Sequence, residues 1–389
     1  MGKTGPWEEI KRLNELCKDG RLFDVQDWIQ SGKPINPRQP EKRNRRRSPL
    51  EIAIDNGFHS LVQILLEAGA IIADDRYNAL EQAVIKRRLD IVTMLVEHGA
   101  DVNSVAMYNV FETWDPKIMD YFIEHGADME TDYPLAEALC MRIRTGLGII
   151  KRHKHRFPSF QEQSNIALRY HCKKGDLKWV SLMLWAGADP YAKGFDIDEI
   201  GHDPDKEKMC ALEYAALYDH LDIFKLKQIK LDPKHPVAQS LLDYACFSSE
   251  SNILVSLLDK GFDPQEQQDQ GTHLIQRCLW TMIGFWDTPS RGYGPMRDFD
   301  SHRAREKMKM IHLLARHGAR WEPLEKGIIK DARAVLLKMK PDYTVEFIWI
   351  MVQYKASNRE CIEELIRTPS IKSVLFDYQE KIKELLDAL

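Results

Sequence analysis

The chain has 389 residues, of which 44% are hydrophobic and 29% charged, and a formal net charge of −4. A chain of this length can bury a large core, and its charge gives no overall reason to expect a nucleic acid or an anionic membrane as partner. The sequence contains no apolar run of about 18 residues, and its first residues lack the apolar core of a signal peptide.

The cysteine pattern bears on the compartment of the protein. The seven cysteines are odd in number and dispersed, without a Cys-x-x-Cys pair. Disulfide frames and zinc sites need paired or clustered cysteines, so we expect reduced thiols in a soluble, cytoplasmic protein. We expect neither a metal nor another cofactor.

A helical segment that ends in Gly-Ala recurs along the chain. It is clearest in residues 56–70, 86–100 and 174–188, where apolar residues cover more than one helical stripe. A glycine past the end of a helix adopts a positive φ at no steric cost, so these glycines mark helix ends. Self-similarity at a fixed period is typical of a stacked array, in which each unit buries its apolar surface against its neighbours.

A short motif upstream of each such segment opens the first helix of the unit. Its anchoring leucine or valine is predicted at Leu50, Leu80, Val110, Leu135, Leu168, Leu212, Leu242, Leu274 and Leu324. In the Val110 unit, only a short stretch, Phe111 to Asp115, stands where the first helix is expected. The longer steps between anchors indicate insertions within one array.

The residues around these anchors resemble ankyrin repeats. Residues 48–53, Ser-Pro-Leu-Glu-Ile-Ala, resemble the Thr-Pro-Leu-His-x-Ala opening of that repeat, and Gly-Ala-Asp at 99–101, 126–128 and 187–189 resembles its finger turn. The resemblance covers about residues 10–340. It implies an all-α fold, an α-solenoid of helix-turn-helix repeats with finger loops. Another α-solenoid of helix pairs is the alternative.

The histidine of the ankyrin motif is absent from several units. A carboxylate replaces it at Glu51, Glu81, Glu213 and Asp243. The hydrogen bond that the histidine usually donates must therefore be replaced or missing in these units.

The register of the repeats divides the chain into four predicted regions. Residues 1–35 form an N-terminal capping repeat, 36–47 a basic loop, 48–340 the array with insertions near 191–208 and 284–302, and 341–389 a C-terminal helical cap. The last region stays helical in pattern but loses the Gly-Ala signature, as expected where a stack must cover its last apolar face. A dimerisation helix is the alternative there.

Two short segments are strongly basic. The first lies in the predicted loop and includes Arg43, Arg45, Arg46 and Arg47; the second is residues 151–156. We interpret the first as a solvated loop that contributes charge to the surface and does not shape the fold. The alternative is a positively charged binding site for an acidic protein or a nucleic acid. We interpret the second as the exposed end of a second helix, because its two histidines have no carboxylate or cysteine nearby in sequence to complete a metal site.

The insertion at residues 191–208 is acidic and is predicted to form a finger at the edge of a concave groove. It lacks the Asp-x-Asp-x-Asp-Gly spacing of a calcium loop. We interpret it as a solvated loop that tunes the charge presented to a partner. Tyr191 and Phe195 are its candidate partner-binding residues.

The insertion at residues 284–302 is the richest in aromatic residues. They alternate with arginines and glycines, and the candidate partner-binding residues are Trp286, Arg291, Tyr293, Arg297 and Phe299. Trp, Tyr and Arg are the residues that most often dominate interface energetics. The alternative is that these rings fold back and pack on nearby helices.

The sequence contains none of the common catalytic signatures, neither a nucleophile elbow nor a His-Glu-x-x-His motif. It therefore predicts a non-enzymatic scaffold, adaptor or inhibitor that binds a protein partner through the concave groove and the loop insertions. One alternative is a nucleic-acid-associated regulator that uses residues 42–47 and 151–156. The other is an enzyme whose site is assembled by the insertions.

Overall fold

The computed structural model describes residues 2–39, 45–199, 208–266, 270–282, 301–323 and 326–388. These residues are mostly helical and cluster into two compact units, residues 1–167 and 168–389. Leu324 and residues 283–300, which make up most of the predicted insertion at 284–302, lie outside the described residues.

Unit 1 is built from pairs of antiparallel helices. The pairs are α1 (Trp7–Lys18) with α2 (Leu22–Gln30), α3 (Pro49–Asp55) with α4 (His59–Glu67), α5 (Ala79–Ile85) with α6 (Leu89–Glu97), α7 (Met107–Phe111) with α8 (Pro116–Glu124), and α9 (Pro134–Cys140) with α10 (Thr145–His153). The first helices of the pairs pack in one row, in the order α1, α3, α5, α7 and α9. The second helices pack in another row. Unit 1 therefore consists of two helical layers, as the resemblance implies.

Local sequence explains where these helices begin. The backbone N–H of Glu51 donates to Ser48 Oγ at 3.1 Å, and Pro49 occupies the first turn of α3. Asn78 caps α5 in the same way, since its Oδ1 accepts from the N–H of Leu80 at 2.9 Å. A side chain that satisfies an unpaired N–H stabilises a helix start by about 1 kcal/mol.

The turns between first and second helices correct one predicted anchor. Leu50, Leu80 and Leu135 each precede by a constant interval a residue with positive φ, namely Gly57, Arg87 and Arg142. In the α7 unit, the residue with positive φ is Trp114, and the same interval leads back to Met107. Val110 is therefore an interior residue of α7. The predicted start at Phe111 was wrong because α7 has only five residues, and the apolar Met107, Val110 and Phe111 do not fix where so short a helix begins.

The fingers of unit 1 are joined by short strands and by asparagine side chains. Strand β1 (Thr4–Gly5) pairs with β2 (Asn36–Pro37) in parallel, and β3 (Ala73–Asp74) pairs with β4 (Tyr77–Asn78) in antiparallel register. Asn36 is buried, and its Oδ1 accepts from the N–H of Ile71 at 2.9 Å. Asn103 repeats this arrangement on the N–H of Asp128 at 2.8 Å. These amides fix the spacing of neighbouring fingers.

Unit 2 continues the helix pairs with longer helices. Helix α11 (Phe160–Lys174) runs across the boundary, and the remaining helices are α12 (Leu177–Trp185), α13 (Ala211–Leu217), α14 (Leu221–Phe224), α15 (Ala238–Phe247), α16 (Asn252–Leu258), α17 (Gln270–Met282), α18 (Ser301–Arg316), α19 (Lys326–Leu336), α20 (Pro341–Gln353), α21 (Arg359–Ile366), α22 (Pro369–Val374) and α23 (Gln379–Asp387). Helices α13, α15, α17, α19 and α21 pack in one row. The described residues thus form an all-α solenoid with finger loops.

Unit 2 buries two cationic side chains that hold loops by their carbonyls. Lys307 donates to the carbonyl oxygens of Cys246 and Ser248, and burial lowers the pKa of Lys307. Arg169 donates from Nε to the carbonyl of Phe195 at 2.8 Å and from a terminal nitrogen to that of Ala192 at 3.1 Å. Such side chains fix loop ends that the helical pattern leaves undetermined.

Membrane insertion finds no support in the helices. Among the described residues, none of the helices is both long enough and apolar enough to cross a bilayer.

Candidate functional site

The turns after the first helices of unit 1 form a continuous edge. Each turn contains one residue with positive φ, which follows the last residues of the helix. The turn edge is defined as residues 18–20, 55–57, 85–87, 112–114 and 140–142. Neighbouring first helices pack against each other, so their turns lie side by side. Packed helices are about 8–10 Å apart, which sets the spacing along this edge.

Three large apolar side chains stand on the turn edge in consecutive units. Ile85 is 65% exposed, Trp114 is 46% exposed and Met141 is 56% exposed. Full burial of such a side chain is worth about 1.5–3 kcal/mol, and this stabilisation is largely forgone in the isolated chain. A row of exposed apolar side chains, in contrast to a single one, is typical of an interaction site. We call these three residues the apolar row.

The backbone of Trp114 makes this position unusual. Its φ is 57°, in the left-handed region, where Gly20 and Gly57 stand at the equivalent turns of earlier units. A left-handed conformation costs a residue with a Cβ roughly 1–2 kcal/mol, and glycine avoids most of that cost. The chain therefore retains a large exposed ring at a position where glycine is better suited to the backbone.

A basic cleft of about 480 Å³ lies at the other end of the same helix row. Its walls are α1 and the segment that leads into α3, and its lining residues are Trp7, Lys11, Asn14, Glu15, Lys18, Arg45, Arg46, Arg47 and Ile52. Lys18 belongs to both the cleft and the turn edge. The cleft therefore adjoins the first turn of the edge whose later turns carry the apolar row.

The predicted basic patch is largely engaged within unit 1. Arg45 is only 14% exposed in its side chain, pairs with Glu51 and Asp74, and lies over the ring of Tyr77 at 4.2 Å. Arg47 is 50% exposed and pairs with Glu51 and with Asp55. The interpretation as a purely solvated loop is therefore wrong for Arg45. Arg43 lies outside the described residues.

Arg46 is the remaining described member of that patch. Its guanidinium lies 5.5 Å from the centre of the Trp7 ring and donates to the carbonyl of Arg38 at 3.1 Å. Among the described residues, no carboxylate forms an ion pair with Arg46, so its positive charge is available at the cleft.

The second basic segment ends α10, as predicted. Within it, Arg152 and His153 both contact Asp120, with His153 Nε2 2.9 Å from Asp120 Oδ1. His153 is buried, while Lys151 and Lys154 are exposed. No group of three or more His, Cys, Asp or Glu suited to a metal occurs within the described part of the chain.

The carboxylates that replace the motif histidine have specific donors. Glu51 accepts from Arg45 and Arg47. Glu81 accepts from Asn109 at 2.8 Å, Glu213 accepts from Ser240, and Asp243 accepts from Arg277 at 2.9 Å. Each of these donors lies outside the helix that carries its acceptor. The missing hydrogen bond is therefore replaced by contacts between neighbouring segments.

Tyr191 and Phe195, two predicted partner-binding residues, have internal contacts. The Tyr191 ring stacks on His235 at 4.1 Å, and its hydroxyl donates to the carbonyl of Lys230 at 2.9 Å. Burial raises the pKa of Tyr191. Phe195 is partly buried, its carbonyl accepts from Arg169, and Lys208 lies 5.5 Å from its ring centre. Trp286, Arg291, Tyr293, Arg297 and Phe299 lie outside the described residues.

The apolar row was missed by sequence reasoning. The sequence feature that could have revealed it is the left-handed turn. When the units are aligned on Gly57, Arg87, Trp114 and Arg142 occupy the equivalent left-handed positions of successive units. A residue other than glycine at a recurring left-handed turn is uncommon and indicates a constraint other than folding.

Comparison with known families identifies the repeat. A family model described as ankyrin repeats, in three copies, matches residues 13–106. Residues 13–106 of the chain are ankyrin repeats. The matched segment contains the second half of α1 and all of α2 to α6, and therefore much of the basic cleft.

This ankyrin-repeat protein has relatives of modest identity. It is 29% identical over 231 residues to an ankyrin repeat and KH domain-containing protein of Caenorhabditis briggsae. This alignment covers 56% of this chain and 8% of that protein. It is 33% identical over 86 residues to human ankyrin repeat and SOCS box protein 14, which covers 21% of this chain and 15% of that protein. The chain thus spans a small part of the length of these relatives.

A solved structure adds one similarity. The crystal structure of the human ASB11 ankyrin repeat domain is 18% identical to this ankyrin-repeat protein. The alignment covers 64% of this chain and 96% of that domain, with a TM-score of 0.29.

Proposed function

We propose that this ankyrin-repeat protein is a non-enzymatic scaffold that binds a protein partner through the turn edge of unit 1. Trp114 carries this proposal, because a large, half-exposed ring stands at a left-handed position. Backbone strain of about 1–3 kcal/mol persists where the surroundings or the function require it, and such strain is concentrated at functional sites. Trp is also among the residues most enriched in binding hot spots.

The neighbours of Trp114 support a partner of protein chemistry. Ile85 and Met141 stand on the flanking turns, so three apolar anchors follow one another at the spacing of packed helices. Arg87 and Arg142 are exposed beside them. An apolar centre with a charged rim is the usual arrangement of a protein interface.

The thiols support the absence of cysteine-based catalysis and a cytoplasmic location in this proposal. All seven cysteines are buried. Burial raises the pKa of Cys17 to about 12 and that of Cys210 to about 12, which disfavours the reactive thiolate. Within the described part of the chain, no disulfide joins any of them, as expected in a reducing compartment.

The test is a quantitative pull-down with the full-length chain as bait. The double variant Ile85→Ser, Met141→Ser removes two anchors whose side chains are mostly exposed, so folding should be retained. We expect at least a tenfold loss of the proteins that the unmodified chain retains. The matched control is Phe23→Ser, because Phe23 is 78% exposed but lies on α2, a second helix.

The control defines the result that would contradict the proposal. If Phe23→Ser reduces capture as much as the double variant does, binding reflects general stickiness and not the turn edge. If neither variant alters the retained proteins, the turn edge does not bind them. Circular dichroism at matched concentration confirms that each variant is folded.

A further inference from the structure

We infer that the segment bound by unit 1 is an extended peptide whose acidic side chains enter the basic cleft and whose apolar side chains contact the apolar row. This inference rests on the proposed function and specifies the chemistry of the partner. It is carried by the charge and position of the cleft.

One face of α1 forms the wall of the cleft. Trp7, Lys11, Asn14, Glu15 and Lys18 all line it, and their spacing places them on one side of a helix. The lysines are exposed, and the Trp7 ring is half-buried. The wall therefore offers separated positive charges beside an aromatic surface.

The charges of the cleft do not cancel. Arg45 and Arg47 are balanced by Glu51, Asp55 and Asp74. Lys11, Lys18 and Arg46 also line the cleft, and within the described ranges they form no ion pair with a carboxylate. Glu15 is the acidic residue of the lining. The excess positive charge of the cleft favours an anionic ligand.

Asn14 closes the wall of the cleft. It is buried there, and its Nδ2 donates to the carbonyl of Arg47 at 3.0 Å. The apolar row favours a peptide over a nucleic acid as the ligand, because exposed apolar side chains on the same helix row suit the apolar side chains of a peptide.

The aromatic rings near the cleft also favour a peptide over a nucleic acid. Arg46 lies over Trp7 and Arg45 lies over Tyr77. Single-stranded nucleic acids are bound through aromatic faces on which bases stack, together with a positive groove. A guanidinium over one face of each ring limits base stacking there, and the exposed apolar row adds contacts for apolar side chains, so the acidic peptide is the ligand that this surface favours.

The positions of the two parts set the length of the peptide. The cleft lies at α1 and α3, and the apolar row lies on α5, α7 and α9. Four helix intervals of about 8–10 Å span roughly 32–40 Å. An extended chain advances about 3.3 Å per residue, so roughly 10–12 residues cover the surface. The acidic residues are expected at one end of this segment and the apolar residues at the other.

The experiment begins with a phage-displayed library of random 12-residue peptides, selected on the full-length chain. We expect enriched peptides to carry acidic residues at one end and apolar residues at the other. The most enriched peptide is then synthesised with a fluorescent label, and its affinity is measured by fluorescence anisotropy. Two cleft variants are compared, Lys11→Gln with Lys18→Gln, and the same pair with Arg46→Gln. The double variant leaves the Arg46–Trp7 contact intact.

The matched control removes three lysine charges elsewhere in unit 1, as many positive charges as the triple cleft variant removes. Lys117→Gln, Lys151→Gln and Lys154→Gln change exposed lysines on and after second helices. We expect the cleft variants to weaken the peptide at least tenfold and to reduce its salt dependence, and the control to weaken it less than threefold.

The outcomes separate this inference from the proposed function. If enriched peptides are apolar without acidic residues, or if the control weakens binding as much as the cleft variants, the inference is overturned while the turn edge remains a binding site. If Ile85→Ser with Met141→Ser leaves the peptide affinity unchanged while the cleft variants weaken it, the proposed function fails, and with it the predicted contact of the peptide with the apolar row. Tighter, cleft-dependent binding of a labelled 20-nucleotide single-stranded RNA would overturn the acidic peptide.

Discussion

The turn edge of unit 1 and the finger at residues 189–199 of unit 2 use similar residues in opposite ways. In the finger, Tyr191 stacks on His235, and Arg169 donates to two finger carbonyls. On the turn edge, Ile85 and Trp114 are exposed to solvent. Richness in aromatic or charged residues therefore does not distinguish a binding surface from a packed loop. The backbone position and the contacts of each residue make that distinction.

The largest expected effect on stability concerns the finger of unit 2, whose side chains are packed. Arg169→Met leaves the carbonyls of Ala192 and Phe195 without their buried donor, at about 1–3 kcal/mol for each unsatisfied group. We expect the free energy of unfolding to fall by roughly 2–4 kcal/mol, measured by urea denaturation. Partner capture by unit 1 should remain, because distant sites are usually independent.

A control in the same unit is Arg367→Met. The Arg367 side chain is 77% exposed, so this change should alter stability by less than about 0.5 kcal/mol. If Arg169→Met has an equally small effect on stability, Arg169 does not hold the finger. The finger would then not be a packed loop that contrasts with the turn edge.

An intermediate effect concerns the basic run beside the cleft. Arg45→Gln removes the partner of Glu51 and Asp74 in a partly buried site, so we expect a loss of about 1–2 kcal/mol. Arg47→Gln, at a half-exposed side chain, should lose less than about 1 kcal/mol. Thermal unfolding of both variants measures the difference. Equal, negligible losses would restore the interpretation of this run as a solvated loop.

The smallest effect is a pH dependence at Asp55. Burial acts to raise the pKa of Asp55, but hydrogen bonds from Gln82 and Lys86 and the charges of Arg47 and Lys86 outweigh it, so the pKa is lowered. A lowered pKa in the folded state gives stability that is present above the unfolded pKa of about 4 and is lost as the pH falls through the folded value.

Asp55→Asn tests this dependence. Between pH 5 and pH 3, we expect the melting temperature of the unmodified chain to fall more than that of the variant, by the equivalent of roughly 0.5 kcal/mol. Asp19→Asn controls for the loss of an exposed carboxylate on the same edge. A steeper fall in Asp55→Asn than in the unmodified chain would show that the sign is wrong.

The repeat period predicted much of the fold. Gly69, Gly99, Gly126 and Gly187 have positive φ where the Gly-Ala pattern placed helix ends. These features follow from local sequence, because a helix end and its glycine are adjacent in the chain.

The candidate site was less predictable. The start of α7 was misplaced because this helix has only five residues, too few for an apolar pattern to fix its register. The contact of Tyr191 with Lys230 joins residues far apart in sequence, so no local pattern indicates it. The exposure of the apolar row depends on which side of a packed layer each turn faces, and this is known only once the layers are assembled.

One measurement tests the central claim most directly, namely the stability and the partner affinity of Trp114→Gly. Relief of about 1–2 kcal/mol of backbone strain should offset the lost burial of the half-exposed ring, so stability should change by less than about 1 kcal/mol. Affinity for the captured partner should fall at least tenfold. A loss of roughly 3–5 kcal/mol in stability, as for a core tryptophan, with affinity unchanged would contradict the account.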